Sequence, residues 1–482
     1  MPRRAAGYDC RQRNAWQAGG ASAKLSPTEK LVNQVVALKY EDLPDDVALT
    51  AKKALLDTMA VILAGSKYAH VPEMVGLVKK WGGAKEATIL VYGDKVPAQN
   101  AAFANGVMAR AIDMGDSHAS SGHTSEYIVP AMLAMAELQG GASGKEYITA
   151  YVAGTEPGHR IGEAVGGPAE SNIRGTYLST AGKLGTTLSL AKLHRFNKEQ
   201  TANALGLAYV MSFPWANCMV TPVGNATAYF EHGYQCQCSI QHVLLAELGV
   251  TGPKEILSGL EGIYNQFLNW KKVDPESIMA DWGEKWLMLR RLAKRYAACS
   301  HTLPPVEAIV NMMTEYKFSS EDIASIHITV CPAAFTVVGN QAKWNPKDEK
   351  DAKFSMPFIV ATVAIKRKVF LDDYSPQEMA RRDIRDLMNR ITVDVDRDGS
   401  ARTSFASAVI TVKLKDGREF TKEAKRRGEM DWDEVIDKLH KCASIAASPL
   451  PESNLIQLVE KIQRLEELDD VTTLMPLLVP RS

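Results

Sequence analysis

The spacing of apolar residues changes near residue 290, and this change constrains the fold more than any other feature of the chain. From residue 25 to about 290, apolar residues recur at helical spacing in one segment after another. After residue 290, the segments 324–330 and 406–414 alternate apolar and polar residues, which is typical of half-buried strands. Asp416-Gly417 then predicts a hairpin turn. The sequence therefore predicts a mainly α protein with an α+β second domain.

The predicted domain boundaries follow the same change. Residues 1–24 are Arg-rich and lack the apolar core of a secretory signal, so we expect a disordered leader. Residues 25–290 should form the first part of a helical domain, and residues 291–425 a smaller α+β domain. Residues 426–482 return to a helical pattern, and we expect this tail to complete the helical domain.

Composition excludes several classes of partner. Lys and Arg number 56 and Asp and Glu also number 56, which argues against nucleic acid or an anionic membrane as the main partner. The chain has no apolar run of about 18 residues, so no transmembrane helix is expected. Its seven cysteines are scattered and contain no Cys-x-x-Cys motif. This usage favours free thiols in a reducing, cytoplasmic location.

A polar cluster lies between two apolar helical segments. It runs from Asp113 to Glu126 and includes Ser117, His118 and His123. Such a cluster is costly to bury unless its groups are hydrogen-bonded or used. A carboxylate near a histidine can orient the ring and tune its pKa, so Asp113 and His123 are candidate catalytic residues. The alternative is a helix cap followed by a turn.

A second cluster lies at the predicted domain boundary. It contains Lys294, Tyr296, Cys299 and His301, and small ligands often bind between domains. Lys294 could pair with a substrate carboxylate or take part in proton transfer. The alternative is a solvated basic patch. By contrast, we interpret His232 as a core or surface histidine.

Several short motifs resemble the MmgE/PrpD family in their order and spacing, over about residues 28–478. That family includes 2-methylcitrate dehydratases, cis-aconitate decarboxylases and an iminodisuccinate epimerase. The motifs are Leu55-Leu56-Asp57-Thr58, Asn105-Gly106 followed by Ala111-Ile112-Asp113 and Asp116, Lys294-x-Tyr296-x2-Cys299 with Pro305-Val306-Glu307-Ala308, and Asp351-Ala352-Lys353-Phe354-Ser355-Met356-Pro357-Phe358.

The resemblance implies a helical domain made from both chain ends, an inserted α+β lid domain and a homodimer. It implies an active site between domain and lid that needs no metal or organic cofactor. It places Asp113, Ser117 and His123 at active-site positions and Lys294 at the position of a lid lysine.

The chain also departs from the family pattern. Thr176 stands where the animal-type decarboxylases carry a histidine, and Thr221-Pro222 stands near the position of a lysine. Leu303 occupies the position of a lid histidine, which His301 could replace only with a local shift. These departures weaken the case for cis-aconitate decarboxylation.

Together these features predict a dehydratase that acts on a small di- or tricarboxylic acid such as 2-methylcitrate, by proton transfer next to a carboxylate. The alternatives are an epimerase of an imino- or amino-dicarboxylate, a cis-aconitate-type decarboxylase and a non-catalytic dimeric scaffold. His123 would transfer the proton, oriented or tuned by Asp113. The other predicted site residues are Lys294 and Arg174 for carboxylates, Ser117, Tyr296 and His301 for hydrogen bonds or a second proton relay, and His118, Thr176 and Cys299 for substrate contact.

Overall fold

The computed structural model describes residues 25–164, 177–211, 227–267, 273–397, 399, 404 and 406–480. The predicted leader, residues 1–24, lies outside this part of the chain. None of the helices in the described ranges has both the length and the apolar character that a membrane span requires.

Helices dominate the first part of the protein, which confirms the prediction from apolar spacing. Their starts follow the local sequence: Ser26 and Ser143 each cap a helix and form a capping box with the glutamate three residues later. The helices are α1 Pro27–Ala37, α2 Asp45–Gly65, α3 Val71–Trp81, α4 Ala98–Ala111, α5 Thr124–Leu138, α6 Gly144–Glu163, α7 Tyr177–Leu193, α8 Lys198–Met211, α9 Thr227–Glu247 and α10 Ile263–Phe267.

Close helix packing puts α2 at the centre of this part. Every residue of α2 from Thr50 to Gly65 is buried, and α2 packs against α4 and α5. Small residues allow such close approach elsewhere too: a Cβ atom on Gly154 of α6 would clash with the carbonyl oxygen of Gly185 in α7. The helix ends that carry the polar cluster are therefore attached to a rigid core.

Two short ladders precede the main sheet. β1 (Ala87–Thr88) pairs with β2 (Lys95–Val96), and β3 (Asp116–Ser117) pairs with β4 (Leu292–Ala293), both antiparallel. The main sheet has the order β6-β5-β7-β8, in which β5 runs parallel to β6 and antiparallel to β7. Its strands are β5 Ile323–Val330, β6 Ile391–Val395, β7 Ser407–Leu414 and β8 Glu419–Lys425.

Helices cover this sheet and confirm the α+β prediction for the second region. α11 packs on β7 and β8, and α14 packs on α11 and α16. The helices of this region are α11 Leu303–Glu315, α12 Pro332–Ala334, α13 Glu349–Lys353, α14 Met356–Lys366, α15 Pro376–Met379 and α16 Arg382–Met388.

The apolar spacing of residues 376–391 predicts a helix, and here the structure differs. The stretch breaks into α15 and α16, and Ile391 begins strand β6. β6 is stabilised by pairing with β5, which lies more than sixty residues earlier in the chain. A partner so distant leaves little trace in local apolar spacing.

The C-terminal helices, α17 Trp432–Ala443 and α18 Glu452–Gln463, pack against α2. A buried ion network reinforces this contact. Asp57 of α2 pairs with both Lys438 of α17 and Arg291. Arg291 Nε also lies 2.8 Å from Asp116 Oδ2, and its Nη1 lies 2.7 Å from a carboxylate oxygen of Glu429. The network thus ties the chain end to the polar cluster.

Candidate functional site

The polar segment between α4 and α5 forms the centre of the candidate site. Asp113 turns the chain just after α4 in a left-handed conformation, with a φ of 53°. The next residues pair with the second cluster, Asp116 lying opposite Ala293 in the β3–β4 ladder. α5 then begins directly after His123. Because both helices are buried, the segment holds its polar side chains inside the protein.

Asp113 anchors the site through two cations. Lys294 Nζ donates to Asp113 Oδ1 at 2.6 Å and to its backbone carbonyl oxygen at 3.0 Å, and Arg110 donates to the same carboxylate oxygen. Burial opposes ionisation, but Arg110 and Lys294 hold the pKa of Asp113 well below its usual range. Lys294 itself is fully buried. The alternative of a solvated basic patch is therefore wrong for this lysine.

His123 lies beside this pair as a neutral imidazole. Burial, and then the charges of Arg110 and Lys294, lower the pKa of His123 well below its usual value, while Asp113 raises it. His123 Nδ1 lies 2.6 Å from the carbonyl oxygen of Asp116. Because that oxygen can only accept, Nδ1 carries the proton and Nε2 presents a lone pair. The Asp116 backbone therefore orients the ring, whereas Asp113 acts on it through charge.

Glu126, in the first turn of α5, completes the cluster and is absent from the predicted site. Its side chain is fully buried, and among the described residues neither carboxyl oxygen has a hydrogen-bond partner. Its Oε2 lies 3.6 Å from Arg110 Nε, 3.5 Å from His232 Nε2 and 3.9 Å from His123 Nδ1. Burial raises the pKa of Glu126 to about 8, although Arg110 and Lys294 act to lower it.

Glu126 is thus mainly protonated at neutral pH. A glutamate at a helix start is ordinarily explained by the helix dipole. Glu126 follows His123 by three residues, and because the helix dipole already accounts for a glutamate there, the sequence does not identify it as a site residue.

His232 extends the cluster away from His123. It is buried, as expected for a core histidine, and its ring stacks on Tyr127 at a centroid distance of 4.0 Å. His232 Nδ1 lies 3.0 Å from Glu231, whose other oxygen lies 2.5 Å from Lys183. A line of titratable groups therefore leads from Glu126 across α9 to α7.

Ser117 joins the polar segment to the second cluster. Its Oγ accepts a hydrogen bond from Ser300 Oγ at 3.1 Å and one from Arg426 at 2.6 Å. Burial, then Arg426 and Lys294, lower the pKa of His301 to about 4. Burial raises the pKa of the Cys299 thiol to about 11. The structure thus brings Ser117, Cys299 and His301 to the Lys294 side of the site.

Two predicted site residues have other surroundings. His118 Nε2 lies 3.0 Å from the carbonyl oxygen of Leu287, and its ring stacks on His159 at 3.6 Å. Tyr296 has Glu307 as its main charged neighbour. The substrate role of His118 and the catalytic role of Tyr296 remain predictions without support from these contacts.

The remaining predicted positions lie at the edge of the described chain or outside it. Arg174, Thr176 and the Thr221-Pro222 pair lie outside the described residues, so their roles remain predictions. Leu303 is fully buried at the start of α11.

Neither a metal-ligand group nor either of two grooves in the described ranges coincides with the cluster. In the described ranges, no group of three or more His, Cys, Asp or Glu side chains is arranged to hold a metal ion. Grooves of about 410 and 480 Å³ are lined by other residues, such as Glu137 in the first and Lys192 in the second. The candidate site is therefore defined by its buried charges.

Comparison with known proteins agrees with the motifs. The MmgE/PrpD N-terminal domain matches residues 29–276, and the MmgE/PrpD C-terminal domain matches residues 296–464. A cis-aconitate decarboxylase from Aspergillus terreus is 24% identical over 491 residues, covering 96% of this chain and 98% of the relative. The cis-aconitate decarboxylase of Homo sapiens is 22% identical over 468 residues, covering 93% of this chain and 94% of the relative. As the resemblance predicted, the chain belongs to the MmgE/PrpD family.

Proposed function

We propose that this protein is a lyase that acts on a small di- or tricarboxylic acid and moves a proton at a carbon next to a carboxylate. One observation carries the proposal: the neutral, partly exposed His123 lies beside cations that the protein does not fully neutralise. Arg110 and Lys294 share the carboxylate of Asp113, while Glu126 is mainly protonated at neutral pH. A substrate carboxylate would compensate the remaining positive charge.

In this proposal His123 is the base. Its Nε2 lone pair accepts the substrate proton, and Lys294 stabilises the negative charge that develops on the substrate. Arg110 and Lys294 lower the pKa of His123 in the free protein. A bound carboxylate would offset these two charges and so raise the basicity of His123 once substrate is present.

Glu126 is suited to return a proton. Its pKa of about 8 keeps it protonated at neutral pH while leaving the proton available for transfer. In a dehydratase, His123 removes a proton from carbon, the carbon–oxygen bond breaks, and Glu126 protonates the departing hydroxyl to give water. Our finer proposal is this dehydratase, acting on an acid such as 2-methylcitrate.

A cis-aconitate-type decarboxylase is the second candidate. It is favoured because relatives that match almost the whole chain carry that name, such as the Aspergillus terreus protein. In that reaction the carbon–carbon bond to the lost carboxylate breaks, CO₂ leaves, and a protonated group such as Glu126 supplies the proton that replaces it. At 24% identity the relatives support the class of reaction and leave the substrate open.

Proton NMR of the purified protein in D₂O tests the proposal. The substrates are 2-methylcitrate, citrate, cis-aconitate, iminodisuccinate and tartrate. New vinylic signals from a hydroxy acid would support the dehydratase, and loss of a carboxylate from cis-aconitate as CO₂ would support the decarboxylase. Exchange of a carbon-bound proton without elimination would contradict a lyase, and so would five unchanged spectra.

His123→Ala links turnover to the proposed base. Loss of a general base typically costs about 10²–10⁴-fold in kcat. His440→Ala is the matched control, because His440 is a partly exposed histidine of α17 that pairs with Glu452. Near-normal turnover of His123→Ala would remove this residue from the mechanism. The homodimer and cytoplasmic location remain proposals, the first testable by sedimentation.

A further inference from the structure

Arg426 is a buried cation directly after strand β8 that the sequence did not single out. It is 7% exposed. Its Nη1 donates to Ser117 Oγ at 2.6 Å, and its Nη2 donates to the carbonyl oxygens of Leu292 at 2.8 Å and Ala293 at 3.3 Å. Within the described chain, Arg426 Nε has no hydrogen-bond partner.

The direct partners of Arg426 are neutral oxygens. Its strongest charged neighbour is Glu307, but a carboxylate oxygen of Glu307 accepts from the backbone N–H of Arg427 at 2.6 Å. Burial lowers the pKa of Arg426 to about 10, so the guanidinium stays charged at neutral pH. A buried charge without a bonded counter-ion is unfavourable, and an anion bound beside it would relieve that cost.

Arg426 lies next to the proposed active site. Ser117 accepts from both Arg426 and Ser300, and the charges of Arg426 and Lys294 both lower the pKa of His301. The segment that carries Ser300 and His301 therefore lies within reach of two buried cations. Lys294 faces Asp113 and the cluster, whereas Arg426 faces Ser117.

We propose that Arg426 binds a second carboxylate of the substrate, through its free Nε and the hydroxyl groups around it. The inference rests on the proposed function and deepens it: Lys294 binds the carboxylate next to the reacting carbon, and Arg426 binds another carboxylate of the same molecule. The substrate must then carry at least two carboxylates. A guanidinium suits this task because its planar N–H groups match a carboxylate.

A purely structural role is the competing explanation, since Arg426 also holds two carbonyl oxygens of β4. Comparing an acid with its amide separates the two roles. The probes are tricarballylate and its monoamides, which keep the shape and lose one charge. Their Kd values are measured by titration calorimetry at neutral pH and low salt, for the wild type, Arg426→Gln and Arg426→Lys. Arg427→Gln is the matched control, because Arg427 is the next residue and its side chain is 55% exposed.

In the wild type, tricarballylate should bind roughly tenfold to a hundredfold more tightly than the monoamide that lacks the carboxylate facing Arg426. Arg426→Gln should weaken tricarballylate binding by a similar factor. The Kd values of tricarballylate and the monoamide should then be nearly equal in this variant. Arg426→Lys should keep part of the difference in affinity between tricarballylate and the monoamide, and Arg427→Gln should keep the full difference. If Arg426→Gln lowers Tm but keeps the wild-type ratio of the two Kd values, Arg426 is structural and the inference is wrong.

These outcomes are distinct from failure of the proposed function. If the ratio of the two Kd values depends on Arg426 but no acid is turned over, the result would support the carboxylate site and refute the lyase. Turnover with a ratio that Arg426→Gln leaves unchanged would support the lyase and refute the carboxylate site. If the wild type binds neither probe, the inference is overturned whatever the turnover assay gives.

Discussion

Replacing Glu126 with glutamine should alter how stability depends on pH. Glutamine has the shape of the protonated carboxyl group but cannot ionise. The pKa of Glu126 is raised from 4.5 to about 8 in the folded protein, so between these values the folded protein keeps a proton that the unfolded chain has released. The stabilisation is fully present below the unfolded pKa and is lost as the pH rises to about 8.

The magnitude follows from the linkage of one proton. Each pH unit in this window changes the free energy of unfolding by about 1.4 kcal/mol. From about pH 5.5 to about pH 7.5, the free energy of unfolding of the wild type should therefore fall by about 3 kcal/mol relative to that of Glu126→Gln. Any constant cost of burying the amide affects all pH values equally and does not change this slope.

Urea unfolding of both proteins across this pH range measures the effect. Subtracting one stability curve from the other largely removes the contribution of the other titrating groups to the free energy of unfolding, because both proteins share those groups. Glu146→Gln is the control: hydrogen bonds from Ser143 and Arg195 lower the pKa of Glu146 despite partial burial. That carboxylate is ionised throughout the range, so its replacement should give a flat difference.

Infrared difference spectroscopy supplies a direct test. The C=O band of a protonated carboxylic acid should be present in the wild type at neutral pH, absent from Glu126→Gln, and lost as the pH rises. A flat stability difference together with no such band would refute the reasoning. Glu126 would then be an ionised partner of Arg110, and the protonated donor in the proposed mechanism would have to be another group.

Two further substitutions test how the fold supports the site. Asp57→Asn removes the carboxylate shared by Arg291 and Lys438. Arg291 keeps Asp116 and Glu429, but Lys438 loses its carboxylate partner inside the protein, so the change should cost about 3 kcal/mol of stability in urea unfolding. Gly162→Ala places a Cβ against the carbonyl oxygen of Ser120; it should lower Tm and weaken tricarballylate binding, because the polar segment must shift.

Matched controls accompany these substitutions. Gly76→Ala lies in α3, where a Cβ meets no neighbouring atom, and should stabilise the protein by about 0.4–1 kcal/mol. Glu452→Gln removes an exposed carboxylate paired with His440 and should have little effect. The reasoning about buried charge would be wrong if Asp57→Asn were as mild as Glu452→Gln. Unchanged binding by Gly162→Ala would show that the segment tolerates the shift.

Part of the candidate site could be predicted because its residues are close in sequence. Asp113 and His123 stand ten residues apart between two helices, and the apolar pattern on both sides indicates a buried polar turn. Lys294 was predicted from its own cluster, but its contact with Asp113 depends on the β3–β4 ladder. That ladder joins segments about 175 residues apart, and a two-residue strand has no recognisable pattern.

Residues whose role depends on environment could not be predicted in this way. Glu126 is an ordinary first-turn glutamate in the sequence, and only its burial beside His232 and Arg110 raises its pKa. Arg426 is one of two consecutive arginines. Its neighbour Arg427 is solvent-exposed, and nothing in the sequence says which of the two is buried.

The sequence by itself determined the helical and α+β regions, the family and the location of the polar cluster, because apolar spacing and short motifs are local properties. Only the tertiary structure decided which charges face one another, that His123 is neutral and held by the Asp116 carbonyl, and that strand β6 forms at Ile391. The physical reason is that charge states and strand pairing depend on burial and on partners distant in the chain.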